Sequence, residues 1–336
     1  MRLRLGLSAG ERLSKQQTID FACYCDEAGF DSIWVAEGRL TRDAIVPAAV
    51  IASHTRRIRI GTGVINHRTR NAALTAVTFK TLDEFAPGRI ILGIGPWWEP
   101  LASKLGLPLK RPLQELPEYI EVIRRLFRAE TVDFEGSYVT MRGARFDFMY
   151  QENREVPVPI YLGAVGPRML ELAGRITDGV LLDFLLPPSY TTWALERIEA
   201  GIAERTDGVA AIDRPQLVAC SVDDDDPQSA IDACKAFFTM YLAQQPHIGQ
   251  HVGIDPELLE QIRSEFTWPA TPEQVRHTMR LVPDELVHRV AACGRTVEAV
   301  EQIERFLAAG ATCAVLCTLG DDKESTLRSI ATALAD

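Results

Sequence analysis

Residues 58–95 read "IRIGTGVINHRTRNAALTAVTFKTLDEFAPGRIILGIG". Two short aliphatic runs, "RIRIGTGV" (57–64) and "RIILGIG" (89–95), flank a stretch with helical spacing at 72–86. Each run is rich in Ile, Leu and Val and too short to stand alone as a helix, which is the pattern of a strand buried on both faces. "APGR" (86–89) supplies a glycine stop before the second run. Strand, helix, strand in that order predicts two parallel strands joined by a crossover helix.

The unit recurs. Further runs are "RLGLSA" (2–9), "DSIWVA" (31–36), "PIYLGA" (159–164), "GVLLDFL" (179–185), "PQLVACSV" (215–222) and "CAVLCTL" (313–319), with helical patterns between them and a last helix at 322–335. Eight strands, each followed by at least one helix, predict an α/β chain folded as a (β/α)8 TIM barrel. Such barrels run to roughly 250 residues, so about eighty of these residues should be insertions within a single domain spanning 1–336. Two are expected: a hairpin within 131–156, turning at Glu135-Gly136, and Pro-punctuated helical material at 245–292 that could form a lid. A doubly wound nucleotide fold is the competing architecture. Gly61-Thr62-Gly63 and Gly93-Ile94-Gly95 each lack the third glycine that a dinucleotide loop requires.

Composition narrows the partners. Lys and Arg total 36 against 46 Asp and Glu, a net charge of −10, and no basic cluster interleaves with aromatics, so no nucleic acid is expected. No apolar run reaches the length of a membrane span and the N-terminus turns polar quickly, so a cytoplasmic, soluble protein is expected. The seven cysteines include no Cys-x-x-Cys and sit in apolar patterns, as reduced buried thiols do. His247 and His251 stand at helical spacing without a ligand cluster, and no metal site is expected. The acidic run Asp223–Asp226 before Pro227 reads as a solvated loop ending in a helix N-cap.

In a barrel the working groups stand at the C-terminal ends of the strands and in the loops after them. The loop Gly163-Ala164-Val165-Gly166-Pro167, with Arg168 beside it, reads either as a phosphate cradle at a helix N-terminus or as a tight turn with Pro at the first helical position. Beyond "RIILGIG" come Pro96, Trp97, Trp98 and Glu99. The indoles are either core or a wall for a flat ligand, with Gly93 and Gly95 letting that ligand approach the backbone. Glu99 is either an acid desolvated by the indoles or an exposed carboxylate at a helix start. Glu37 either points into the barrel mouth or pairs with Arg39 or Arg42. His67 is a candidate proton donor or a solvated loop residue, and Asp183 lies at the end of the sixth strand run.

The stretches "GFDSIWVAEGRLTRDAIVPAAVIA" (29–52), 58–95, "VPIYLGAVGPRMLELAGRITDGVLL" (158–182) and "FLAAGATCAVLCTLGDD" resemble the bacterial luciferase-like superfamily of flavin- and deazaflavin-dependent oxidoreductases. The branch they resemble uses coenzyme F420 and includes methylenetetrahydromethanopterin reductase. The resemblance implies coenzyme binding at the C-terminal end of the barrel and a non-proline cis peptide between Gly63 and Val64 behind the deazaflavin ring. It also implies Asn66 beside the ring, Gly163 through Pro167 around the phosphate, and Glu37 as a carboxylate near the ring; Gly95, read above as open to a close ligand approach, is expected to contact the coenzyme too. Three departures stand out. The family's acidic residue followed by His is here Glu37-Gly38, its small loop is here Gly95-Pro96-Trp97-Trp98, and no lysine follows the sixth strand run. The first weakens an oxygenase reading and the last disfavours a sugar phosphate.

These features lead to an expected oxidoreductase that moves a hydride between F420 and a small organic substrate. A pterin-type C=N or C–N group suits a pocket walled by Trp97, Trp98 and Asp183, with Glu37 or Glu99 handling the proton. The alternatives are an FMN-dependent monooxygenase and a non-catalytic flavin- or F420-binding protein. A homodimer is expected from the family.

Overall fold

The computed structural model describes residues 4–10, 13–38, 40–97, 99, 101–107, 110–150, 154–267 and 269–335. Twelve strands are formed among them: β1 (Leu5–Ser8), β2 (Ser32–Val35), β3 (Arg59–Thr62), β4 (Ile65–Asn66), β5 (Ile90–Gly95), β6 (Val132–Glu135), β7 (Thr140–Ala144), β8 (Ile160–Ala164), β9 (Gly179–Leu182), β10 (Pro215–Val222), β11 (Ala292–Gly294) and β12 (Cys313–Thr318). The main sheet runs β12-β1-β2-β3-β5-β8-β9, and β10 pairs with β12 and, through Gln216 opposite Leu182, with β9. That order is a (β/α)8 barrel. Every residue of β2, β5, β9, β10 and β12 is buried, which is why these runs carry no polar alternation.

The helices follow the expected positions with small changes at their ends. The first, Lys15–Ala28, begins in a capping box between Ser14 and Gln17 and ends at Gly29, whose φ of 77° is the left-handed conformation that favours glycine. Asn71 caps Ala72–Phe85, and Asp226 caps Pro227–Gln244, so the acidic run does end in a cap. The stretch 245–292 holds short helices at Gly249–Val252, Pro256–Ser264, Pro272–Thr278 and Asp284–Val290.

Two strands went unforeseen. One is β11, three residues beside the C-terminal half of β10, too short to leave a periodic signal. The other, β4, exists because the chain does not run straight off β3. Gly61 pairs with Ile91 and Ile65 with Ile94, so four steps on one strand match three on the other. This is a one-residue bulge.

The chain divides into two compact units. One comprises Leu7–Leu181 and Arg197–Asp213; the other comprises Leu182–Glu196, Arg214 onward and the residues before Leu7. In the first, buried Asp26 accepts backbone N–H bonds from Arg56, Arg57 and Ile58 at 2.7–2.9 Å and so fixes the approach to β3. Trp34 is fully buried, bonds Ser32 Oγ through Nε1 at 2.9 Å, and lies so close to Gly61 that a Cβ there would meet its ring at 2.6 Å. The hairpin β6–β7 belongs to this unit and falls inside the expected insertion.

Candidate active site

The bulge between β3 and β4 contains a cis peptide at Gly63–Val64, where the resemblance placed it. Glycines on the neighbouring strands make room for the bulge. A Cβ on Gly93 would lie 1.8 Å from the Thr62 carbonyl oxygen, and one on Gly95 would lie 2.8 Å from a Val64 methyl. A Cβ on Gly163 would be 3.1 and 3.3 Å from the two Val64 methyls. What approaches the backbone at Gly93 and Gly95 is therefore the chain itself. The glycines were legible as a close approach; the approaching group was not.

Beyond the bulge, buried Asn66 accepts the backbone N–H groups of Arg68 (3.1 Å) and Thr69 (2.9 Å) on its Oδ1. This fixes the amide so that Nδ2 donates to Glu37 Oε2 at 3.4 Å. Arg70 donates to the same oxygen at 2.7 Å and to Asp43 Oδ2 at 2.7 Å. Glu37 and Arg70 are 14% and 18% exposed, a half-buried pair, whereas Asp43 is 42% exposed. Of the two readings of Glu37, the ion pair is formed, but with Arg70: Arg42 turns to other partners, and Arg39 lies outside the described residues. Glu37, Asn66, Thr69, Arg70, Arg42 and Trp97 are among the groups lining a cavity of about 440 Å³. The pair thus coexists with a place at the cavity wall, and Glu37 Oε1 has no partner among the described residues.

Trp97 is only 8% exposed, and its indole N–H has no hydrogen-bond partner among the described residues. An unpaired buried donor costs about 1–3 kcal/mol, so an acceptor brought by a ligand would be favoured there. Trp98 lies outside the described residues. Glu99 is exposed and accepts the Ser103 N–H at 3.1 Å, next to the short helix Leu101–Lys104. This is the helix-start geometry, not a desolvated acid.

His67 is neither solvated nor at the surface. Its side chain is fully buried, with Nε2 2.9 Å from Glu115 and Nδ1 3.4 Å from the Gly95 carbonyl. Burial depresses its proton affinity below the usual histidine value, against the opposing pull of the Glu115 carboxylate and the Gly95 carbonyl. Burial pushes Glu115 up, but the hydrogen bonds from His67 and Arg68 outweigh it and hold the carboxyl below its ordinary range. Tyr138, on the turn of the β6–β7 hairpin, donates to the His67 carbonyl at 3.3 Å and stacks edge-on against its ring. The turn is held in its own right: Glu118 accepts N–H bonds from Ser137, Tyr138 and Val139 and the Ser137 hydroxyl at 2.7–3.0 Å, which holds its pKa to about 2 against the effect of burial. Sequence reasoning missed Glu115 and Glu118, which sit on an unremarkable helix, Pro112–Phe127.

At the end of β8, Gly166 precedes the helix Pro167–Ile176 with extended backbone and no side-chain cap. Gly166, Pro167 and Arg168 are exposed, Ala164 is buried, and a Cβ on Gly166 would meet nothing within 4 Å. An uncapped N-terminus with open space before it suits an anion such as a phosphate.

Asp183 belongs to the other unit. There its carboxylate accepts the Tyr241 hydroxyl and, at 3.0 Å, its neighbour's N–H from Phe184. Burial raises its pKa to about 6. The Phe184 ring packs against Phe237 and Tyr241, each at 5.0 Å.

The Luciferase-like monooxygenase family model matches residues 2–313. A 5,10-methylenetetrahydromethanopterin reductase of Methanolobus tindarius is 31% identical, covering 92% of this chain and 93% of its own length. An F420-dependent glucose-6-phosphate dehydrogenase of Microbacterium testaceum is 28% identical over 86% of this chain and 87% of its own. Among solved structures, the coenzyme F420 dependent tetrahydromethanopterin reductase of Methanopyrus kandleri matches with a TM-score of 0.87 at 26% identity, over 98% of both chains. A barrel of this strand order, a bulge between β3 and β4 seated on glycines, and full-length similarity lead to one assignment: the chain belongs to the luciferase-like monooxygenase family.

Proposed function

We propose that the protein is an F420-dependent oxidoreductase acting on a small, flat organic substrate, of which a pterin-type C=N or C–N group is the leading class. The observation that carries the reading is the cavity where Glu37, held by Arg70 and Asn66, shares a wall with the unpaired indole N–H of Trp97. Bound F420 would supply a two-electron hydride carrier. Gly163 through Pro167 would hold its phosphate, with Arg168 alongside, while Gly63, Val64, Asn66 and Gly95 would back its ring. The chain's own part is orientation and exclusion of water. Asn66 is locked by two backbone N–H bonds, so it presents its amide in one direction. Glu37 keeps its Oε1 for a ligand N–H and is the better placed of the two candidate carboxylates to hold or pass a proton, since Glu99 is committed to a helix start.

A homodimer fits the exposed apolar side chains Leu74, Val77 and Phe85 on one helix and Val46 on its neighbour. Seven cysteines without a disulfide suit a reducing compartment such as the cytoplasm. Among the described residues no helix is long and apolar enough to cross a membrane.

Fluorescence titration of the purified protein with F420 and with FMN tests the reading. Micromolar F420 binding with weak FMN binding is expected. Preference for FMN would replace the proposal with a flavin oxygenase, and F420 binding without turnover of any pterin or other imine would leave a carrier.

A further inference from the structure

Among the described residues two arginines reach the cavity wall, and they are placed differently. Arg70 spends its guanidinium on both nearby carboxylates, Glu37 and Asp43. Arg42 has no carboxylate within ion-pair distance among the described residues. Its Nη2 donates to the Leu13 carbonyl at 2.8 Å and its Nη1 to the Thr18 hydroxyl at 3.3 Å. Those neutral acceptors aim the guanidinium without neutralising it, and they occupy two of its five N–H groups. A half-buried cation held this way is arranged to receive a charge from outside the chain, and it faces the same cavity as Trp97.

We propose that Arg42 is the anion-recognising residue of the cavity, and that the substrate carries a carboxylate or phosphate which docks on its free fork while the flat body lies toward Trp97. The inference deepens the functional reading above and rests on its assignment of the cavity to substrate. Sequence reasoning looked for a substrate cation after the sixth strand run and found none; here the cation comes from the segment after β2. In that reading the coenzyme's own phosphate is accommodated at Gly163–Pro167, so the anion at Arg42 belongs to the substrate.

Isothermal titration with benzoate and its neutral isostere benzamide, with and without saturating F420, reads the charge preference. Benzoate is expected to bind about tenfold more tightly than benzamide, the scale of one charge-assisted hydrogen-bonded pair partly open to water. The preference is expected to vanish in Arg42→Gln, whose amide keeps a donor for the Leu13 carbonyl, and to survive in part in Arg42→Lys, which keeps the charge without the fork. Equal binding of the two probes by the wild type, or a preference that persists in Arg42→Gln, would overturn the proposal. So would an Arg42→Gln protein that loses F420 affinity but binds a deazaflavin truncated before its phosphate normally, because Arg42 would then serve the coenzyme. A wild type that binds no F420 yet prefers benzoate would sink the coenzyme reading and leave Arg42 as assigned.

Discussion

Replacing Gly93 by alanine tests how the bulge is seated. The new Cβ would stand 1.8 Å from the Thr62 carbonyl oxygen, more than an ångström inside any contact real Cβ atoms make. The obstacle is backbone, so no rotamer change relieves it. Overpacking of this kind costs about 1–3 kcal/mol. Moving the strands apart would also weaken the two bonds by which Thr62 Oγ1 is tied to Gly93, at 2.8 Å to its carbonyl and 3.0 Å from its N–H. At about 0.5–1.5 kcal/mol each these bring the expected loss to roughly 2–6 kcal/mol. At Gly95 the obstacle is a Val64 methyl at 2.8 Å, a side chain that can be removed. Gly95→Ala should therefore cost less, and Val64→Ala should recover most of that cost with a coupling of about 1 kcal/mol. Urea unfolding followed by both circular dichroism and tryptophan fluorescence measures these values and tests whether two units unfold together. A Gly93→Ala protein within about 0.5 kcal/mol of wild type, or one rescued by Val64→Ala as fully as Gly95→Ala, would refute the seating described here.

Further outcomes are expected on similar grounds. Glu37→Gln should lower turnover at least tenfold, in line with a lost proton-transfer group, while the F420 dissociation constant changes less than about threefold; steady-state kinetics beside a binding titration separates the two. Between pH 6.5 and 4.5 the contribution of His67 should fall on acidification, because its ring holds fewer protons folded than unfolded, with Glu115 adding to the loss below about 4.5; the slope of stability against pH over the upper window should be lower in His67→Gln than in wild type. Asp183 has the opposite sign: its raised folded pKa favours the protein below about pH 4 and loses that contribution as pH rises through about 6. Asp183→Asn should thus gain stability over wild type at pH 8, by about 1–2 kcal/mol, with the gap closing at pH 4. Glu118→Ala should speed amide hydrogen exchange at Ser137–Val139 at least tenfold, with the barrel strands unchanged.

The barrel was legible because its strands are buried on both faces and so read as unbroken aliphatic runs. Eight such runs appear and eight barrel strands form within them. The helices were legible through periodicity and glycine stops. β4 and β11 were not, since two or three residues carry no period. At the site, single positions such as Glu37, Asn66 and Trp97 could be picked out, because strand ends in a barrel are few. Their partners could not. Arg70 meets Glu37 across 33 positions of chain, and around the site Glu115 meets His67 across 48 and Glu118 meets the hairpin turn across 19; no local pattern records such pairings.

The anchorage of the β6–β7 turn has a practical corollary for anyone trimming this enzyme. A surface excursion between two barrel strands looks dispensable, the kind of segment usually shortened to obtain a leaner scaffold. Here its tip leans on His67, bonding its carbonyl and packing on a ring that lies against the Gly95 carbonyl beside Trp97. Excising it would remove a buttress of the proposed active-site rim, and a graft onto a relative would need Glu118 and Glu115 to travel with it.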